Sequence, residues 1–454
     1  DLKSIGLDVK NYYEKLDKES LVFTTALASC NHNLYLSYSE NSVGDEKDIP
    51  SMFLDEMLGL IDDERIIWID VDMDYLLKTN PIQLTTKEDI LKYLLHSYYE
   101  GEYDEDLIYM FNQIDEKFLK EINKKISCEL ERDKEEFNQY SGNIGSNPIL
   151  KDIENIHKDK VYSISYLENY GKCPYMFLLN NILVVEEMKR ELLDFSPLDR
   201  GIVTHQVLKE YYYHHKDKIE DHIFGEREFF VEDTYDYIFD KIEENMKAIG
   251  IETKTKLWKI RIENNAHRIV NLIKADIDRL SKYKKKILPM DFEVDFGRNK
   301  SFSIYAEDME IFLTGKIDRI DKYVGEDKYV IIDYKNTDYG LKDIDHMISG
   351  LSLQLPVYIM SQEGKDVVAA MYGIISKGEF QLKIGNVEEK HLVSKSNKGA
   401  ITREELEALL EETKQSIGRY IDAIHSGDFS VNPMECSPYC IYRDICRYKE
   451  SLEV

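Results

Sequence analysis

The sequence predicts an α/β fold in which a block of strands is wrapped by a larger number of helices. Two observations carry that expectation. Residues 291–376 are rich in short runs that alternate apolar and polar side chains, the period of a half-buried strand, and they hold a clear hairpin at 312–337. Around this block, residues 85–137, 162–213, 216–286 and 402–426 repeat apolar side chains at three- and four-residue spacing, the period of a helix packed on one face.

Composition narrows the class. The chain has 454 residues, with 59 Lys and Arg against 87 Asp and Glu, a net charge of −28. That length suits two or three domains. With 43% apolar and 32% charged residues the chain can bury real cores under an ionised surface, so global disorder is not expected. The longest nearly uncharged apolar run, 367–375, is far short of the roughly 20 residues of a membrane helix, so no membrane partner is expected. No cationic, apolar leader opens the sequence, and six Cys are too few for a secreted disulfide scaffold; a reducing, cytoplasmic setting is expected. The negative field repels phosphate, so any contact with DNA has to be local.

From the N-terminus, residues 21–38 suit a helix followed by a strand at 33–37, and 65–72 (RIIWIDVD) suits another strand. The sequence starts on Asp1 in mid-pattern, which reads as a fragment of a longer polypeptide whose residues 1–75 are the remnant of a larger domain. Residues 76–160 read as a helical connector, with a charged loop at 101–106 and a polar linker at 140–148, and residues 161–454 as a further domain. The segment 251–286 departs from the rest of the chain in charge: eleven Lys and Arg against four Asp and Glu give it +7. It is either a solvated helix face or a phosphate-tracking surface, with Lys282, Lys284, Lys285 and Lys286 as the candidate DNA contacts.

The hairpin FLTGKIDRIDKYVGEDKYVIIDYKNT carries the chemistry. A turn at Gly325-Glu326, with a loop of two or four residues, pairs residues whose numbers sum to 651, so Asp318 and Asp333 lie directly opposite each other. Alternation then puts Asp333 and Lys335 on one face and Tyr334 on the other. Opposed carboxylates with Cβ atoms about 5 Å apart repel unless a cation lies between them. A divalent ion fits that demand, and Lys335 can stabilise developing negative charge or position water. The alternative is an exposed hairpin with solvated charges; the apolar run 329–332 argues instead for a buried strand ending at Asp333. Downstream, Gln354 and Tyr358 share a helix face at i and i+4, although Pro356 between them suggests that the helix begins near there. Upstream, GIVTHQVL places His205 at a helix start as a candidate metal ligand, while His214 and His215 read as surface.

Three Cys fall near the end, Cys436, Cys440 and Cys446, and Cys173 stands far upstream in KCPY. Four thiolates suit structural zinc or an iron-sulfur cluster, and spacing does not separate the two. Cys30 and Cys128 read as packed thiols.

Taken in order, KCPY at 172–175, GIVTHQVL at 201–208, GKIDRID at 315–321, IIDYK at 331–335, QLPVY at 354–358 and CSPYCIYRDIC at 436–446 resemble the RecB-type branch of the PD-(D/E)XK nucleases, and within it the cluster-bearing AddB family of helicase/nuclease subunits. The resemblance covers roughly residues 161–448. It implies a restriction-endonuclease-like α/β core with helical additions and a C-terminal iron-sulfur tail, acting as a DNA nuclease together with an AddA-like partner. It further implies Mg2+ or Mn2+ held by His205, Asp318, Asp333 and the Tyr334 carbonyl, with Lys335 catalytic and Gln354 and Tyr358 in support. A 4Fe-4S cluster would take Cys173, Cys436, Cys440 and Cys446. One departure concerns Cys436: the family's commoner triplet is C-x2-C-x5-C, whereas here the first Cys sits one residue earlier, next to Ser437. The stretch FTTALASCNHNLYLSY resembles a late helicase motif but lacks an Arg in its core, and no G-x4-G-K-[ST] loop occurs, so neither ATP binding nor unwinding is expected of this fragment. Two other readings use part of these features: a scaffolding or DNA-binding protein that keeps the nuclease fold without its chemistry, and a zinc-stabilised interaction module. The second leaves the hairpin unexplained.

Overall fold

The computed structural model describes residues 12–38, 49–61, 65–68, 86–99, 105–106, 109, 116–132, 134, 136–145, 148–157, 160–185, 196–251, 256–306, 309–389, 391–392, 399–437, 439–446 and 448. The chain divides into two compact units, Asp1–Lys124 and Lys125–Val454. In the first unit lie helices α1 (Tyr12–Ala28), α2 (Met52–Leu58) and α3 (Lys87–Tyr99), and α4 (Glu116–Arg132) begins. The rings of Phe23 and Phe53 stack between α1 and α2 at 5.7 Å. The strand expected at 33–37 is irregular, and so are residues 66–68; positions 69–72 lie outside the described residues. The physical reason is visible in the side chains. Tyr35, Ile67 and Trp68 are exposed, so among the described residues the alternating pattern packs against no sheet.

The second unit holds an eight-stranded mixed sheet in the order β1-β4-β5-β6-β7-β8, with β2 and β3 also pairing β4. The strands are β1 (Tyr162–Ser163), β2 (Ile287–Phe296), β3 (Ser303–Ala306), β4 (Met309–Tyr323), β5 (Lys328–Lys335), β6 (Asp366–Ile374), β7 (Glu379–Asn386) and β8 (Ala400–Ile401). Its helices are α5 (Leu150–His157), α6 (Ile164–Lys172), α7 (Pro174–Phe177), α8 (Pro197–His214), α9 (Lys216–Phe224), α10 (Tyr235–Ala248), α11 (Lys256–Lys282), α12 (Ile344–Ile348), α13 (Gln354–Met360), α14 (Arg403–Ser426) and α15 (Arg443–Cys446). Among the described residues no helix is long and apolar enough to cross a membrane.

Two cores sandwich the sheet. On one side Leu167 of α6, Leu355 and Val357 of α13, and Ile417 and Ile421 of α14 meet Ile331 of β5 and Ala370 of β6. On the other, Val207 and Tyr211 of α8, Ile238 and Ile242 of α10, and Ile269 and Ile273 of α11 meet Val330 and Ile332 of β5. The continuous apolar run in β5 follows: Val330, Ile331 and Ile332 are each 0% exposed because both faces are covered. The long helix expected at 402–426 is α14, with Thr402 as its N-cap and Glu405 closing a capping box.

The hairpin forms in the expected register. β4 pairs β5 at Arg319↔Ile332, Ile320↔Ile331, Asp321↔Val330 and Lys322↔Tyr329, each summing to 651. Four residues, 324–327, make the loop, and Gly325 takes φ +77°, a left-handed value that suits Gly. This ladder ends at Arg319↔Ile332, whereas β5 stays paired with β6 as far as Lys335↔Ile374. β4 and β5 therefore part at Asp318 and Asp333.

Two expectations about histidine change. His205 lies well inside α8, which starts at Pro197 behind the Ser196 cap; the Ser-Pro pair is the start signal. His215 is buried rather than on the surface, its Nδ1 3.1 Å from the Tyr211 carbonyl and its ring stacked on Tyr211 at 4.4 Å.

Candidate active site

The fork between β4 and β5 builds the site. Where the next ladder bond would form, the Tyr334 N–H donates instead to Asp318 Oδ2 at 2.7 Å, which orients that carboxylate. Asp333 is almost wholly buried, and Lys335 Nζ lies 2.6 Å from its Oδ2 without the alignment of a hydrogen bond. The Lys335 ammonium donates to Gln354 Oε1 at 2.7 Å, and Gln354 Nε2 donates to the Tyr358 hydroxyl at 2.7 Å. Gln354 opens α13, so Pro356 falls in the first turn, where a missing N–H leaves no helix bond unmade.

From the other side α8 brings His205. Its Nδ1 lies 3.2 Å from Asp318 Oδ1 and 3.7 Å from Glu293 Oε1, and its Nε2 lies 3.2 Å from the Tyr334 carbonyl. His205, Glu293 and Asp318 can each offer a ligand atom within 4.8 Å of the others. Asp333 stands next to this group, turned toward Lys335.

Glu293 is the site residue that the sequence did not single out. Strand β2 reads DFEVD over 291–295, so Asp291, Glu293 and Asp295 look like a solvated acidic stripe. The pairings Phe292↔Arg319 and Val294↔Ile317 instead set Glu293 opposite Asp318. Its φ of +54° is left-handed, a conformation that costs a non-glycine residue about 1–3 kcal/mol and gathers at functional sites. Lys316 Nζ, 2.9 Å away, partly neutralises it. The only warning in sequence was a Glu flanked by Phe and Val in a strand close to the hairpin.

The electrostatics follow from three carboxylates held close together. Burial works against the His205 imidazolium, but Asp318, with Asp333 and Glu293, outweighs it and carries the pKa up to about 9. Burial raises Asp333 to about 6, against Lys335 and with the help of Asp318. The Lys335 ammonium, disfavoured by burial, is held protonated chiefly by Asp333. A site with three carboxylates, one imidazole and a buried carboxylate oxygen lacking an aligned donor matches the oxygen-rich donor set that hard divalent ions take.

The cysteines occupy a separate region. Cys173 joins α6 to α7, its Sγ accepting the Met176 amide at 3.4 Å. The amides of Met434 and Glu435 donate to the Lys172 carbonyl, which brings the tail against this junction. Burial raises the Cys173 thiol, and Cys440 and Cys446 push it up further, so these three are near neighbours. Among the described residues no three sulfurs lie within 4.8 Å of one another, whereas a zinc tetrahedron needs about 3.8 Å.

The four basic candidates lie at the far end of the hairpin. Val324 N–H donates to the Lys286 carbonyl, Lys285 pairs with Glu326 at 2.8 Å, and Lys286 Nζ donates to the Ser281 carbonyl. Some of the charge of 251–286 is not superficial: Arg279 is largely buried between Asp276 and Asp321. Lys274, on the surface, pairs with Glu232.

The family model described as the PD-(D/E)XK nuclease superfamily matches residues 161–447, which hold the sheet, the fork and α13. The chain belongs to that superfamily. Its core is the mixed α/β sheet described above. Relatives include a subunit of the ATP-dependent helicase/deoxyribonuclease of Thermoanaerobacter sp. (strain X514), 25% identical over 391 residues, 71% of this chain and 33% of that protein. The same-named protein of Clostridioides difficile (strain 630) is 25% identical over 79% of this chain and 31% of its own length. That of Acetivibrio thermocellus is 30% identical over 44% and 17% respectively. The chain thus spans about a third of the length of the first two.

Proposed function

We propose that this PD-(D/E)XK chain is the DNA-cleaving module of a helicase/deoxyribonuclease and hydrolyses phosphodiester bonds, as an exonuclease, at the β4/β5 fork. The observation that carries the reading is the fork itself: Asp318 and Asp333 are the residues just past the last ladder pair, with Lys335 against Asp333 and the His205/Glu293/Asp318 group alongside. Mg2+ or Mn2+ would be held by Asp318, Asp333, Glu293, His205 and the Tyr334 carbonyl. Such an ion supplies an activated water and steadies charge on the phosphate. The chain's own part is positional. Asp333 keeps the Lys335 ammonium charged; Gln354 and Tyr358 aim it at the place where the phosphate oxygens gain charge.

In this reading residues 161–454 are the nuclease domain, 76–160 a connector and 1–75 a helicase-like remnant. Cys173, Cys436, Cys440 and Cys446 hold a 4Fe-4S cluster, which is larger than a zinc ion and separates its thiolates more widely. Lys282, Lys284, Lys285 and Lys286 contact DNA phosphates, and an AddA-like partner completes the assembly. The relatives' names describe one subunit of an ATP-dependent helicase/deoxyribonuclease, which supports both DNA as substrate and the existence of a partner.

The test is single-turnover cleavage of end-labelled DNA by wild type, Asp333→Ala and Lys335→Ala in Mg2+ or Mn2+. Each variant is expected to lose at least about 100-fold in rate while its circular dichroism stays native. Near-normal metal-dependent cleavage by either variant overturns the assignment.

A further inference from the structure

Glu168 lies on α6, outside every motif that pointed to the site. Its Oε1 accepts two backbone amides from a different segment, Leu353 N–H at 2.7 Å and Gln354 N–H at 3.1 Å. These amides open α13, whose N-cap residue, Leu353, makes no side-chain cap bond of its own. A helix start normally satisfies its first amides locally. Here the cap is supplied from another helix. From Gln354 the path to the reacting groups is short: its Oε1 accepts from Lys335 Nζ, and its Nε2 is fixed on the Tyr358 hydroxyl. The Lys335 ammonium thus lies between Asp333 and Gln354, with the Tyr372 ring 5.4 Å away, and the backbone amide of Gln354 donates to Glu168.

We propose that Glu168 is a positioning residue which, by capping α13 from α6, fixes Gln354 and through it the direction of the Lys335 ammonium. The inference rests on the nuclease reading of the site and extends it to a residue that touches neither the metal ligands nor Lys335 through a hydrogen bond. Burial raises the Glu168 carboxyl, opposed by the Leu353 amide, Lys335 and the Gln354 amide, so the group sits within the field of the ammonium it helps to place. Loss of the cap lets Gln354 drift, and a misplacement of about 1 Å near reacting groups can lower a rate by about 100-fold.

The experiment compares wild type, Glu168→Ala, Glu168→Gln, Gln354→Ala and the Glu168→Ala/Gln354→Ala double variant in the full chain. Single-turnover and steady-state cleavage of labelled DNA in Mn2+ are measured, with Mn2+ binding to each protein followed by calorimetry. Glu168→Ala is expected to lower kcat about 10- to 100-fold, with KM and Mn2+ affinity within about twofold of wild type. Glu168→Gln keeps an Oε1 acceptor for both amides and is expected to recover most of the rate. The double variant is expected to be no slower than Gln354→Ala alone, because both changes break one path. Multiplying losses in the double variant, or an unchanged kcat in Glu168→Ala, overturns the proposal.

A second readout does not depend on turnover. Acylation of Lys335 by an amine-selective reagent, followed by mass spectrometry, is expected to quicken in Glu168→Ala and stay at the wild-type rate in Glu168→Gln; equal rates in all three count against the proposal. If Asp333→Ala still cleaves DNA, the nuclease reading falls while this labelling still decides the role of Glu168. Should Glu168→Ala fail to fold, Glu168→Asp, one methylene too short for both amides, takes its place against Glu168→Gln.

Discussion

At the scale of single residues the site is a balance of buried charges, and its pH behaviour follows from two shifts with defined signs. The metal-free pKa of His205 is raised from 6.5 to about 9, so the stability it contributes is fully present below pH 6.5 and lost as pH rises through 9. Asp333, raised from 3.8 to about 6, binds its proton more tightly folded than unfolded, so its contribution falls as pH rises from about 4 to 6. In EDTA the melting temperature of wild type is therefore expected to exceed that of His205→Gln most at pH 6 and least at pH 9. A difference that widens toward pH 9 contradicts the His205–Asp318 pairing as the source of the shift. The opposite face of β4 carries a second charge cluster. The fully buried Arg319 makes a two-bonded pair with Asp321, at 2.5 and 2.9 Å, and donates to Asp276 Oδ2 at 2.6 Å and to the Tyr334 hydroxyl at 3.1 Å. Arg319→Ala removes both hydrogen bonds that Arg319 makes to buried Asp321, leaving it, among the described residues, only Arg279 at 3.8 Å, and one of the partners of Asp276, and is expected to cost about 3–5 kcal/mol in urea unfolding. A loss under about 1 kcal/mol would show that the cluster is not a paired network.

At the scale of elements, what the sequence revealed and what it hid divide along local and non-local lines. The β4/β5 register is set by a turn a few residues long and by period-two alternation, so the meeting of Asp318 and Asp333 could be counted from residue numbers. The i, i+4 pair Gln354 and Tyr358 is local in the same way. Glu293 and Glu168 were hidden because each reaches the site through a neighbour distant in sequence: β2 against β4, and α6 against α13. Arg279 and Arg319 were hidden for another reason, since a buried, paired guanidinium and a solvated one look alike in a sequence. The 33–37 segment failed as a strand because, among the described residues, its alternation has no ladder partner, and alternation alone specifies nothing. Helix α14 offers a clean element-level test. Thr402→Ala removes the capping hydroxyl that accepts the Glu405 N–H and is expected to cost about 1 kcal/mol, read as a lowered denaturation midpoint at unchanged slope. An unchanged midpoint would mean that packing alone holds that end of the helix.

At the scale of the whole molecule, if DNA is the substrate, a chain of net charge −28 has to take hold of a polyanion. Lys282, Lys284, Lys285 and Lys286 cluster at the closed end of a hairpin whose open end is the site, six residues or about 20 Å away along β5. Because Lys285 is paired with Glu326 and Lys286 with a carbonyl, Lys282 and Lys284 are the better placed of the four. Replacing all four by Gln is expected to weaken DNA binding and flatten its log–log salt dependence by about 2 units. An unchanged slope would mean that the phosphate path lies elsewhere. The proposed cleavage depends on the fork between β4 and β5 being a metal centre. The most direct test is anomalous diffraction at the manganese edge from crystals of this chain grown with Mn2+. A peak bounded by Asp318, Asp333, Glu293 and His205 is expected, and it should disappear in Asp318→Ala; manganese bound elsewhere, with that position empty at saturating Mn2+, contradicts a metal centre at the fork.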